Sequence, residues 1–153
     1  MGIPLYGQET DGNVLKALTS GLKMMKISVA VTTSGNANNS QVSTLPAGCL
    51  PVFSVAHNNG SVALASNACV LDIPDINAAF HITGELNALA AGGTVAYMVD
   101  GDGGIAESNV AGEEILIDGS SGLVVASGST TLDVYVWYVD GPAVAADSLS
   151  SAL

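Results

Sequence analysis

Thr131-Leu132-Asp133-Val134-Tyr135-Val136-Trp137-Tyr138-Val139 decides the fold. Almost every position is β-branched or aromatic, the composition that fits a pleated, partly buried surface. Side chains alternate along a strand, so Leu132, Val134, Val136 and Tyr138 share one face and Asp133, Tyr135, Trp137 and Val139 the other. Trp137, Tyr135 and Tyr138 form the largest aromatic group of the sequence. On a closing strand such a group packs a core or a subunit interface, with a ligand platform as the alternative.

The same period of two runs back through the chain. Ile27, Val29 and Val31 alternate with Ser28, Ala30 and Thr32. Leu50 to Ala56 reads as a strand with Pro51 near its start, and Asn58-Asn59-Gly60 as a hairpin turn returning through Ser61 to Ala65. Further strands are expected at 69–73, 79–83, 94–99, 114–118 and 123–126. Turns rich in Gly, Asn, Asp and Ser separate most of them. Leu86 to Ala91 reads as a short helical turn. Eight or nine strands without strand–helix alternation disfavour a doubly wound sheet. The expected fold is all-β, an antiparallel β-sandwich with the jelly roll as one of its forms.

Three segments are expected: an N-terminal arm over 1–26, a β-sandwich domain over 27–140 and a loose tail over 141–153. In the arm, Val14, Leu18, Leu22 and Met25 fall at helical spacing. Gly21 weakens a long helix, and Pro4 favours an extended start.

The 153 residues carry a formal charge of −11, with 48% hydrophobic and only 11% charged residues. That composition suits one folded domain and excludes a charge-driven disordered chain. Three Lys and no Arg against 14 carboxylates exclude a binder of the nucleic-acid backbone. No apolar run approaches the ~20 residues of a membrane helix. The charge is uneven: Lys16, Lys23 and Lys26 leave the first 26 residues at +1, and residues 27–153 sum to −12. Such a body repels copies of itself except through apolar or neutral contacts. The opening residues lack the features of a signal peptide, so synthesis in a host cytoplasm without export is expected.

Chemistry-bearing motifs are sparse. His57 and His81 are each isolated among apolar neighbours, the usual setting of a structural histidine. Asp72 and Asp75 flank Pro74 without aromatics nearby to stack a sugar. The nucleophile-elbow and phosphate-loop patterns are missing. Cys49 and Cys69 sit in apolar contexts and read as two buried thiols, a disulfide being the alternative. With His57 and His81 they make no zinc pattern. Asp100-Gly101-Asp102-Gly103-Gly104 offers a weak calcium candidate at Asp100 and Asp102; a tight hairpin explains the same residues. No cofactor, no metal and no enzymatic activity are expected.

The polar arm Met1 to Thr10, the Leu45-Pro46-Ala47-Gly48-Cys49 turn, the acidic Ala/Gly/Ser/Val/Thr-rich body and the closing Thr131–Val139 strand together resemble small β-rich structural proteins of tailed-phage virions. Capsid decoration (cement) proteins are the particular likeness, which spans residues 25–140 and is one of texture. It implies a protein that sits on the capsid surface of a virion, binds the major capsid protein and forms a homotrimer. Contacts to the shell or a neighbour are then expected from Ile3, Pro4, Leu5, Tyr6, Lys16, Lys23, Lys26 and Trp137. The alternative is a carbohydrate- or cell-surface-binding fibre or adhesin module, which calls for exposed aromatics beside Asp or Asn. An enzyme on a jelly roll calls for a pocket in which His57 or His81 meets carboxylates.

Overall fold

Two apolar faces, each one strand-pleat deep, are pressed together in the computed structural model, which describes residues 21–73, 81–99 and 112–140. The strands are β1 (Lys23–Thr32), β2 (Gln41–Leu45), β3 (Cys49–Asn58), β4 (Val70–Asp72), β5 (Thr94–Met98), β6 (Glu113–Asp118) and β7 (Ser129–Asp140). They form a four-stranded sheet in the order β1-β7-β3-β5 and a three-stranded sheet in the order β2-β6-β4. Every pairing is antiparallel. The fold is all-β, as the alternation predicts, and there is no helix among the described residues.

The core lies between the sheets. From the larger sheet come Ile27, Val29 and Val31 of β1, Leu132, Val134 and Val136 of β7, and Ala56 of β3. From the smaller sheet come Leu45, Leu71, Ile115 and Ile117. Cross-strand register aligns the two best alternating segments: Ile27 faces Val134 and Val29 faces Leu132. Their inward side chains therefore form one continuous apolar layer. Ile82, Leu86, Leu64, Leu123 and Val125 fill the rim from irregular segments.

All six connections between successive strands β1–β7 cross from one sheet to the other, so none of these seven strands pairs with its neighbour in sequence. This overturns the hairpin expected at Asn58-Asn59-Gly60. β3 runs on to Asn58, whose buried amide donates to the carbonyls of Val62 (2.8 Å) and Leu89 (3.1 Å) and accepts from the Thr130 hydroxyl. Those bonds steer the chain over the end of the sandwich instead of back along β3. Ser61–Ala65 and Leu123–Ala126 are accordingly not strands; they meet through a single bridge, Leu64 to Val125. The Leu86–Ala91 stretch is an irregular turn, not a helical one. Leu86 N donates to Cys69 O, and Ala88 takes a φ of 48°. β2, which sequence alternation leaves unassigned, is an edge strand with a register shift between Gln41 and Ser43. The Pro46-Ala47-Gly48 turn that follows it depends on glycine: φ is 65° at Gly48, which side chains disfavour.

β1 starts at Lys23, earlier than the alternation from Lys26 suggests. Helical spacing through Leu22 and Met25 is thus overridden by pairing along the whole of β7, from Lys23–Tyr138 to Thr32–Ser129. The rest of the arm, residues 1–20, and the tail, 141–153, lie outside the described residues.

Candidate functional site

The outward face of the four-stranded sheet repeats the alternation of the core with a different result. Register places Met24 opposite Trp137, Trp137 opposite Phe53, and Phe53 opposite Met98. One row of large apolar side chains thus crosses all four strands. The next row is Lys26, Tyr135, Val55 and Ala96, and the third is Ser28, Asp133, His57 and Thr94.

The rings are arranged in order. Phe53 and Trp137 stack with centroids 4.5 Å apart and planes 7° from parallel. Tyr135 lies 6.3 Å from Trp137 in a tilted contact, and the Lys26 ammonium stands 5.5 Å from the Tyr135 ring centre. Such aromatic pairs contribute about 0.5–1.5 kcal/mol beyond their buried area. They also hold the row rigid. Cover stops there: Met24 is 52% and Met98 67% exposed, and Leu22, just before β1, is 53% exposed. These three are the large exposed apolar residues among those described, and all lie at the end of the sheet where β1 and β3 begin and β5 and β7 finish.

Charge around the row is balanced. Lys23 makes a two-pronged contact to Asp140 at 2.7 and 2.8 Å. Lys26 reaches Asp133 at 3.2 Å. Asp133 also accepts from Ser28 Oγ (2.6 Å) and Asn59 Nδ2 (3.2 Å). The Ser28 bond first, then Lys26 and Asn59, hold its carboxyl below the usual range. The Asp140 and Asp133 hydrogen bonds raise Lys23 and Lys26 in turn. On a body of −12, the outward face pairs one cation, Lys26, with one anion, Asp133, while the Lys23–Asp140 pair lies at the sheet's end on the inner-face side.

Of the sequence-predicted contact residues, the fold puts Lys26 and Trp137 on this face and Lys23 on the other side of β1. Ile3, Pro4, Leu5, Tyr6 and Lys16 lie outside the described residues, as do the calcium candidates Asp100 and Asp102 and the Asp75 partner of Asp72. Sequence reasoning missed Met24, Phe53, Val55 and Met98. Each has the alternation of a strand, but only the pairing of β1 and β3 with β7, and of β5 with β3, reveals that they are one surface.

The remaining candidates are scattered. His57 sits on the outer face, its Nδ1 3.0 Å from Thr94 Oγ1. His81 is in a different region, bridged to Asp72 beside β4. There a cavity of about 270 Å³ is lined by His81, Glu85, Asp118, Tyr97, Thr83 and Val70, among others. Asp72 is buried behind it; burial first, then the Asp118 charge, push its carboxyl up to about 6. This is the imidazole-and-carboxylate pocket that an enzymatic reading calls for, but no hydrogen bond links His81 to a carboxylate among the described residues. Cys49 and Cys69 are buried thiols not joined in a disulfide. Burial and the Asp118 charge raise Cys69 to about 11, far from a reactive thiolate.

No protein-family model and no curated protein matches the sequence. Solved structures do. A chain of "Cyanophage Pam1 capsid asymmetric unit" overlays 77% of this chain and 84% of its own length, with a TM-score of 0.51 at 19% identity. This chain shares the fold of a chain in a phage capsid. Two further matches are looser. "Capsid of Ralstonia phage GP4" covers 79% of this chain and 85% of that one at 14% identity and a TM-score of 0.44. "Acidic stable capsid structure of Helicobacter pylori bacteriophage KHP30" covers 78% and 93% at 8% identity and a TM-score of 0.38.

Proposed function

We propose that the chain is a structural protein of a tailed-phage virion, of the capsid decoration (cement) type. It attaches to the outside of the head and stabilises the shell. The observation that carries this is the row Met24, Trp137, Phe53 and Met98, its rings half-buried and its methionines exposed, within a charge-balanced face of an otherwise acidic body. Exposed apolar surface of this kind marks a protein contact, and here it is where electrostatic repulsion is least.

The fold likeness to the Pam1 capsid chain supports a place in a capsid. So does the strand order. His81–Thr83 runs beside β4 through the Asp72–His81 bridge and the Ile82 N to Leu71 O bond. Counted as a reduced strand, it turns the two sheets into the orders 1-8-3-6 and 2-7-4-5, the connectivity of a jelly roll. The partners in this reading are the major capsid protein and further copies of the chain in a closed trimer. Ile3, Pro4, Leu5, Tyr6 and Lys16 of the arm add contact to the shell or to a neighbouring copy.

Virions of the phage that encodes the chain are expected to carry it on their outer surface, visible by immunogold labelling and quantified by mass spectrometry. A Phe53→Ser/Trp137→Ser variant is expected to fall well below wild-type occupancy on heads lacking the protein, and removal of residues 1–12 to reduce occupancy further. Virions without the chain would sink the proposal.

A second reading, a carbohydrate- or cell-surface-binding fibre module, has the rings beside Asp133 and Asn59 in its favour. Against it, Phe53 and Trp137 present a face to each other and Lys26 covers Tyr135, so each ring already uses a face that a sugar would stack on. Glycan-array binding abolished by a chelator would favour this second reading.

A further inference from the structure

We propose that the cavity beside β4 binds an organic cation, the ammonium or guanidinium end of a Lys or Arg side chain presented by a partner protein. The site lies on the smaller sheet and goes beyond the virion reading, on which it does not rest.

Strand alternation assembles it. Leu71 and Ile117 face each other across β4 and β6 and are fully buried in the core. Their neighbours Val70, Asp72 and Asp118 therefore turn to the opposite side of the smaller sheet. His81, bridged to Asp72, joins them, because directly opposed residues share a face. Val70, His81 and Asp118 line the cavity, with Thr83, Glu85 and Tyr97 among its other walls. Its volume of about 270 Å³ suits the end of one side chain better than a larger ligand.

Asp72 is the independent sign of a missing partner. It is only 6% exposed, yet no hydrogen bond reaches its carboxylate among the described residues. A buried carboxylate is ordinarily paired. The charges that act on this one are Asp118, of the same sign, and His81. Burial first, then Asp118, push its carboxyl up to about 6, as for a negative charge without a counterion. The body of the chain has none to offer. Residues 27–153 hold no Lys or Arg, and Lys23 and Lys26 are paired with Asp140 and Asp133 on the other sheet.

The walls suit a cation that carries N–H donors on a hydrocarbon stem. Glu85 accepts one hydrogen bond, from Asn87 Nδ2 at 3.1 Å, and keeps room for more. Tyr97 adds an aromatic wall, a surface that attracts cations. A metal ion fits less well, since no three His, Cys, Asp or Glu side chains among the described residues are placed to hold one.

The test uses the full chain and three probes at matched ionic strength: N-acetyl-lysine-N-methylamide, its arginine counterpart and the neutral norleucine analogue. Amide NMR at pH 7 follows them. At least one cationic probe is expected to shift Val70, His81, Glu85 and Asp118 saturably in the millimolar range, and the norleucine analogue to leave them in place. The tighter of the two cations distinguishes an ammonium from a guanidinium partner. Asp118→Asn and Asp72→Asn should each weaken binding about tenfold. Asp72→Asn removes a buried charge and is expected to fold at least as well as the wild type, so its result reports binding. Lowering the pH to 5 should weaken binding more in the wild type than in Asp72→Asn, because protonation of Asp72 competes with the cation. Asp118, His81, Glu85 and Tyr97, the other titratable groups facing the cavity, are common to both proteins and cancel in that comparison.

No saturable shift with either cation overturns the proposal. So do equal shifts with the norleucine analogue, or binding that both variants leave unchanged. Tighter saturation of the same amides by calcium overturns it in favour of a metal. No capsid enters these measurements, so failure of the virion reading leaves their outcome intact.

Discussion

Along β7, Leu132, Val134 and Val136 are wholly buried between the sheets, while one residue away Tyr135 and Trp137 are only partly covered. The same alternation writes both faces. Inside, branched aliphatic side chains interlock with Ile27, Val29 and the opposite sheet, where a missing methylene leaves a void. Outside, rings stack on one another and rest on a lattice of hydrogen bonds through Asp133, leaving Met24 and Met98 in water. The difference teaches that this strand has two tasks. One face holds the domain together, and the other has the rigidity of a core without the cover of one.

The largest expected effect breaks the inner face. Leu132→Ala should cost about 2–5 kcal/mol of unfolding free energy, because its fully buried site relaxes only in part. Urea denaturation measures it, and a loss below 1 kcal/mol would mean the inner face is loosely packed after all.

Next comes the smaller sheet, where a buried charge opposes folding. The Asp72 carboxyl has its native pKa raised to about 6 from a reference of 3.8. Folding therefore favours the protonated form. The favourable contribution is complete below pH 3.8 and is lost as pH rises through 6. Asp72→Asn should stabilise the protein by about 1–3 kcal/mol at pH 8 and by almost nothing at pH 4. Thermal melts at the two pH values test this. Equal shifts at both would show that ionisation of Asp72 is not the cause.

Trp137→Ala sharpens the contrast on the outer face. It removes the Phe53 stack and should cost only about 1–2 kcal/mol in stability; on the proposed decoration reading it also lowers occupancy on heads. A stability loss as large as that of Leu132→Ala would make the row part of the core. The smallest effect is expected from Lys23→Ala. Its pairing with Asp140 is exposed, so denaturation midpoints should barely move. A clear midpoint shift would mean that this pair is shielded from solvent.

Much of this was legible beforehand. The all-β class, the extents of β1, β3, β5, β6 and β7 to within a few residues, and the two buried thiols follow from alternation and composition. Lys26 and Trp137, both expected as contact residues, share the outer face and Lys23 does not; nothing local shows which residues adjoin. β2 escapes notice because an edge strand with a register shift lacks a clean period of two. The Asn58-Asn59-Gly60 hairpin misleads because its residues do suit a turn. What redirects the chain is the burial of the Asn58 amide against Val62, Leu89 and Thr130.

Local sequence by itself determined that β1, β3, β5, β6 and β7 would be extended and which of their faces would be apolar, because the pleat enforces a period of two. It also determined the charge imbalance between arm and body. Tertiary structure alone decided which of β1–β7 are neighbours, since each connection between these strands crosses from one sheet to the other. The row Met24–Trp137–Phe53–Met98 therefore exists only in the folded protein. Its members come from four strands, and the hydrogen-bond register between those strands sets them side by side.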